Sequence, residues 1–168
     1  MKQLAVALLT VLWGISGAFA DNAPAVVFPS GESIFATTFS GLDGGSITPA
    51  DFKGKPLVLN FWATWCPPCR EEIPELVAIH NRYAVRGMVL IGVAVEEVGR
   101  VSEFVKANNM PYRIAIGREK GIWLLQTLGN KAAGLPYTVV LDRDGRIVFT
   151  KRGALTRERL EQVLEPLL

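Results

Sequence analysis

Trp65-Cys66-Pro67-Pro68-Cys69 holds both cysteines of this 168-residue chain, at the join between an apolar run and a helical pattern. Ahead of it stands Leu57-Val58-Leu59-Asn60-Phe61-Trp62-Ala63, and behind it Arg70-Glu71-Glu72-Ile73-Pro74-Glu75-Leu76-Val77. Two thiols this close in sequence close only a tiny loop when oxidised, so the loop-entropy stabilisation that justifies a structural bridge is small. A helix start also lowers thiol pKa. A bond that adds little stability at such a place suits being made and broken, which points to thiol–disulfide exchange.

The rest of the chain alternates strand and helix patterns. Pro56–Ala63 is a continuous apolar strand, as expected for one covered on both faces of a sheet. From Pro67 the apolar positions Ile73, Leu76, Val77, His80 and Tyr83/Ala84 recur at helical spacing up to Gly87, with a kink expected at Pro74. Met88–Val95 reads as a second buried strand, Arg100–Asn108 as an amphipathic helix, Tyr112–Ile116 as a third strand and Lys120–Leu128 as a helix stopped by Gly129-Asn130. Tyr137–Leu141 and Arg146–Thr150 flank Asp142-Arg143-Asp144-Gly145, a hairpin turn signal. Thr156 is the expected N-cap of a last helix running to about Leu164. Near the start, Ile34–Phe39 and Ser46–Thr48 flank Gly41-Leu42-Asp43-Gly44-Gly45 and read as a short hairpin. The sum is an α/β domain, a central sheet flanked by helices.

Met1–Ala20 has a basic residue at Lys2, an apolar stretch from Leu4 to about Leu12 and the ending Ala18-Phe19-Ala20. That is the order of a secretory signal with cleavage after Ala20; an uncleaved anchor is the alternative, because the apolar stretch approaches spanning length. Asp21–Ser33, rich in Ala and Pro, reads as a linker, which leaves residues 34–168 as the domain. Loss of Lys2 lowers the formal net charge from +2 to +1. Near-neutral balance with no basic run gives no reason to expect nucleic acid. An exported domain short of core would carry several bridges, whereas this one has a single close-set pair, so stability must come from burial.

Cys66, at or before the first helical turn, is expected to be the exposed nucleophile, facing unsatisfied backbone N–H groups. Cys69, one turn in and more buried, is expected to resolve the mixed disulfide. Neither Pro67 nor Pro68 has an N–H, and no His or Lys stands between the cysteines, so Cys66 is expected to be less acidic than in strongly oxidising couples and the pair more reducing. Glu72, one turn beyond Cys69, is a candidate proton acceptor, while Arg70 and Glu71 read as solvated first-turn residues.

These residues resemble the thioredoxin superfamily, and more closely its exported TlpA/ResA/CcmG-like branch, from about Ile34 to Leu168. The motif after Phe61-Trp62-Ala63-Thr64, the helix-kinking Pro74, the loop Gly134-Leu135-Pro136-Tyr137-Thr138 and the closing hairpin carry the likeness. Met88–Glu97 with the following helix resembles the βα insertion of that branch. The resemblance implies a thioredoxin-like fold with a mixed sheet, an N-terminal β-hairpin and no cofactor. It implies that Pro136 is cis and packs against the disulfide, that the Leu135 backbone pairs with substrate, and that Trp65 and Pro67 line the exchange surface. It further implies a monomeric, periplasmic reductant of protein disulfides, fed by a membrane thiol transporter of the DsbD/CcdA type. Its targets would be apocytochrome c cysteine pairs or copper-site thiols. Thioredoxin carries a buried Asp where this chain has Asn60, and Asn takes no proton at neutral pH. A carboxylate must then come from elsewhere: Glu72 first, Glu96 or Glu97 second.

Rival readings are weaker. The sole histidine, His80, lies on the helix's apolar stripe and has no second imidazole to complete a metal site with the thiols. Haem attachment fails because Arg70 follows Cys69. A protein-disulfide oxidase, an isomerase, and a non-enzymatic binding module with a structural disulfide remain as alternatives. Trp62 and Trp123 read as core.

Overall fold

The computed structural model describes residues 30–168. The signal or anchor segment and most of the linker lie outside the described residues. A helical turn, α1 (Glu32–Phe35), comes first, so the segment read as the start of a strand is helical, and that turn begins two residues before Ile34. The hairpin follows as β1 (Phe39–Gly41) and β2 (Ser46–Ile47). Then come β3 (Leu57–Trp62), α2 (Pro67–Tyr83), β4 (Val89–Ala94), α3 (Val98–Ala107) and β5 (Arg113–Ile116). The chain ends with α4 (Arg118–Thr127), β6 (Tyr137–Leu141), β7 (Ile147–Arg152) and α5 (Arg157–Leu164).

The strands form one seven-stranded sheet in the order β2-β1-β5-β4-β3-β6-β7. β3, β4 and β5 run parallel, while β6 is antiparallel to β3 and β7 to β6. This is the mixed sheet of the expected α/β fold. All six residues of β3 and all six of β4 are buried, as continuous apolar runs in the middle of a two-sided sheet should be. β4 pairs directly with β3 along its whole length, Leu57 opposite Val89 through Trp62 opposite Ala94. Gly92 in β4 leaves little room for a side chain. A Cβ there would stand 3.0 Å from Trp62 Nε1 and 3.1 Å from both Ile114 Cδ1 and Tyr112 Cε2.

Two apolar layers sandwich the sheet. One contains Trp62, both cysteines, Ile73, Leu76, Ile79 and Tyr83 with Leu155, Leu160 and Leu164. The other gathers Ile34, Leu59, Phe61, Ile91, Leu124, Leu125 and Val139. α2 continues through Pro74, whose ring is exposed, and after Tyr83 a 3-10 turn (Ala84–Arg86) leads to Gly87, which takes φ +93°. Its buried face is Cys69, Glu72, Ile73, Leu76, Ile79 and Tyr83, so Ile79 rather than His80 occupies the core position. His80 is half-buried, and burial together with the Arg113 charge holds its pKa below the ordinary value. Trp123 departs from expectation: it is 57% exposed, because α4 turns Gly121, Leu124 and Leu125 inward instead. Thr156 caps α5 as expected, its hydroxyl accepting from Arg159 N–H at 3.3 Å.

Candidate active site

β3, in the interior of the sheet, delivers the chain to the C-terminal end of the parallel strands, and the turn after it is closed by Cys66 N–H donating to the Ala63 carbonyl at 3.2 Å. Cys66 is the N-cap of α2 in extended conformation, and Cys69 lies inside the first turn. The two form a disulfide. Cys69 N–H donates to Cys66 Sγ at 3.3 Å. With Pro67 and Pro68 lacking N–H groups, Cys69 is the first residue of the helix able to donate to that sulfur.

Burial corrects one expectation. Cys66 is 4% exposed, against 0% for Cys69, so the first cysteine is the more accessible residue but is not open at the surface while oxidised. The reason is local: the bond to Cys69 and the N–H contact fold Sγ back over the helix start. What stands outward is Trp65, 62% exposed, together with Pro67 and Arg70. The Arg70 guanidinium lies 5.9 Å from the centre of the Phe104 ring.

Glu72 is 2% exposed, on the apolar face of α2. Its Oε1 accepts from Asn60 Nδ2 at 2.7 Å and its Oε2 from Leu155 N–H at 3.0 Å. Asn60 Nδ2 also donates to Thr138 Oγ1 at 3.1 Å. Burial drives the Glu72 pKa up from 4.5 to about 7, against the lowering effect of these two donors. Tyr112, buried nearby, is pushed up in turn by its own burial and by the Glu72 charge. A carboxyl with a pKa near neutrality can both take and return a proton under ordinary conditions.

The Leu135–Pro136 peptide is cis, as the resemblance implied. β6 pairs with β3 in a register that puts Tyr137 opposite Phe61, so Pro136 falls one residue further along, level with the end of β3. The buried Pro136 accepts Gly153 N–H on its carbonyl at 2.8 Å. Leu135 is half-buried against both apolar layers. Glu96 lies apart from Glu72: its two oxygens accept from Thr64 N–H and, at 2.9 Å, from Thr64 Oγ1. Glu97 is exposed and pairs with Arg118 at 2.5 Å. Among the described residues no group of His, Cys, Asp and Glu is arranged to hold a metal.

Sequence reasoning did not find Leu155 as a partner of Glu72, Thr138 as a partner of Asn60, nor Thr64 as a partner of Glu96. A polar residue inside a wholly buried strand was the available signal for Thr138, as it was for Asn60. A backbone donor such as Leu155 N–H leaves no such mark.

A family model described as Redoxin matches residues 20–164. Thiol-disulfide oxidoreductase ResA of Bacillus thuringiensis subsp. konkukian is 35% identical over 125 residues, 74% of this chain and 70% of that protein. The crystal structure of a thiol:disulfide interchange protein of the thioredoxin family from Chlorobium tepidum TLS superposes with a TM-score of 0.74 at 27% identity, covering 86% of this chain and 99% of that one. A secreted thiol-disulfide isomerase from Corynebacterium glutamicum gives 0.72 at 26% identity, covering 78% and 82%. A Cys-x-x-Cys pair at the head of a helix in a thioredoxin-like sheet, with these relatives, makes the chain a member of the Redoxin family and a thiol–disulfide oxidoreductase of the ResA type.

Proposed function

We propose that the protein reduces disulfides of extracytoplasmic proteins, with Cys66 as nucleophile, Cys69 as resolving thiol and Glu72 as proton acceptor. In the reduced protein the Cys66 thiolate attacks one sulfur of a partner disulfide. That bond breaks, a mixed disulfide forms, and the displaced partner thiolate takes a proton. Cys69 then gives its proton to Glu72 and attacks Cys66 Sγ. The partner's second sulfur leaves as a thiolate and takes a proton from water, so the partner departs as a dithiol and the chain retains the Cys66–Cys69 disulfide. Each turn therefore consumes two electrons, to be restored by a membrane thiol transporter of the DsbD/CcdA type.

The observation that carries this reading is the buried Glu72 on the same helix face as Cys69, one turn on, with a pKa near 7. Such a group can accept a thiol proton at neutral pH and return it when the pair is reduced again. The reductive direction is supported by the helix start. Cys69 N–H is the one donor found on Cys66 Sγ among the described residues, a modest stabilisation of a thiolate. The couple should lie well below the strongly oxidising value of about −120 mV.

Substrate docking is assigned to the Leu135–Pro136 backbone, with Trp65 and Pro67 forming the adjacent surface. Among the described residues the Leu135 peptide groups make no backbone hydrogen bond, which leaves them open to pair with an extended substrate segment. An exported location is supported by the Met1–Ala20 pattern and by the secreted Corynebacterium relative. Apocytochrome c cysteine pairs and copper-site thiols are the target classes that the resemblance favours.

The test is capture. Cys69→Ser expressed in cells should accumulate mixed disulfides through Cys66, and mass spectrometry of the conjugates names the partners. Conjugates retained in Cys66→Ser, or absent from Cys69→Ser, would contradict the assignment. Conjugates formed mainly with an electron-accepting oxidase would reverse the direction.

A further inference from the structure

Thr64 sits on the turn between β3 and α2, and both of its donors end on one carboxylate. Its N–H donates to Glu96 Oε1 and its hydroxyl to Glu96 Oε2. The strand register explains why a side chain is needed there. Trp62 stands opposite Ala94, and Val95 N–H donates to the Trp62 carbonyl at 3.0 Å. In a parallel ladder the next rung would send Thr64 N–H to the Val95 carbonyl. The Glu96 carboxylate takes that donor instead. β3 thus leaves the ladder at a fixed point, and the chain turns at once into Trp65 and Cys66, the turn closed by Cys66 N–H on the Ala63 carbonyl.

We propose that Glu96 is a positioning residue, which anchors the Thr64 turn so that Trp65 and Cys66 meet a partner disulfide in one geometry. With both oxygens engaged by Thr64, Glu96 is a holder of the loop and not an alternative proton acceptor for Cys69. Trp65 and Glu96 also line a common cavity of about 360 Å³ with Arg118 and Ile122, so a displaced turn moves the wall along which a partner chain would lie. Small errors of placement are costly when two sulfurs must align for in-line attack. The inference rests on exchange at Cys66, as proposed above, and concerns a different residue from the proton acceptor.

Three substitutions separate holding from charge. Glu96→Gln keeps both contacts: its oxygen accepts Thr64 N–H and its amide donates to the Thr64 hydroxyl. Glu96→Asp keeps the charge but is shorter by one carbon–carbon bond, about 1.5 Å, and fails to reach both donors. Glu96→Ala removes both features. The full-length protein is assayed for reduction of insulin disulfides with dithiothreitol as electron source, with thermal unfolding followed in parallel. Glu96→Gln should retain kcat/KM within about twofold, whereas Glu96→Asp and Glu96→Ala should lose about tenfold. An active Asp variant beside an impaired Gln variant would overturn the proposal in favour of charge. Equal rates in the Gln and Asp variants would overturn it as well. If Glu96→Ala fails to fold, the Gln–Asp comparison still decides. Glu72→Gln, run alongside, should alter the pH profile of the same reaction. A flat result there defeats the proton-acceptor reading and leaves the anchor standing, and the converse holds for the Glu96 series.

Discussion

Asn60 donates its side-chain amide to Glu72 Oε1 at 2.7 Å, joining the strand before the cysteines to the helix that carries them. The same amide reaches Thr138 on β6, and Leu155 N–H, from the loop before α5, closes the other carboxylate oxygen. Two separate segments thus converge on one buried acid, and a third, β6, holds the Asn60 amide. Gly153, two residues before Leu155, donates to the Pro136 carbonyl, so this short loop touches both Glu72 and the cis-proline loop.

Glu72 should make stability depend on pH. Its folded pKa, about 7, lies above the ordinary 4.5, so between these values the folded protein holds a proton that the unfolded chain has lost. The stabilisation is therefore full below about pH 4.5, falls as pH rises, and levels off above about pH 7, a loss of about 3 kcal/mol. Glu72→Gln should abolish that slope. Gln fits because Asn60 can turn its amide oxygen toward the new NH₂ group while the Thr138 hydroxyl donates back. Urea unfolding of the oxidised protein at pH 5 and pH 8 checks this.

Asn60→Ala removes a donor that favours ionised Glu72. A bond to a charged group is worth about 1.5–3 kcal/mol, so the Glu72 pKa should climb by roughly one to two units. The pH at which the resolving step reaches half its maximum should climb with it. Stopped-flow release of a Cys66 mixed disulfide across pH gives the midpoint; an unchanged midpoint would show that Asn60 does not tune the acid.

Much of this was readable in the chain. Leu57–Trp62 and Val89–Ala94 formed where apolar runs said they would, and Thr156 capped where its hydroxyl predicted. The cysteine pair named its own chemistry, because spacing and helix position are local properties. Glu72 was visible as an acid one turn past Cys69, but its burial was not, since that depends on where β3, β6 and Leu155 close over α2. Trp123 was misplaced for a related reason. α4 has enough small and aliphatic residues to bury another face, and only packing decides which. Glu32–Phe35 became a helical turn because four residues carry too little periodicity to tell helix from strand.

Trp65→Ala should separate stability from exchange. The side chain is 62% exposed, so unfolding free energy should change by no more than about 0.5 kcal/mol. Its place beside Cys66 predicts a loss of about fivefold in kcat/KM for insulin reduction, since exposed aromatics near a docking surface are common binding anchors. Equal kinetics with the unmodified protein would remove Trp65 from the exchange surface.

Gly92→Ala should destabilise the domain. The added methyl would press on the Trp62 indole nitrogen and on the Ile114 and Tyr112 side chains at 3.0–3.1 Å, inside a wholly buried strand. Overpacking of that kind costs about 1–3 kcal/mol. Denaturant midpoints at a single pH measure it, and an unchanged midpoint would mean the layer yields freely.

The most direct test of the account is alkylation of the reduced protein by iodoacetamide, with each modified cysteine located by peptide mass mapping. Cys66 should label first and fast once the disulfide no longer folds its sulfur over the helix start, while Cys69 stays protected beneath it. Faster labelling at Cys69, or two thiols inert in the folded reduced protein, would contradict the assignment of Cys66 as the attacking sulfur.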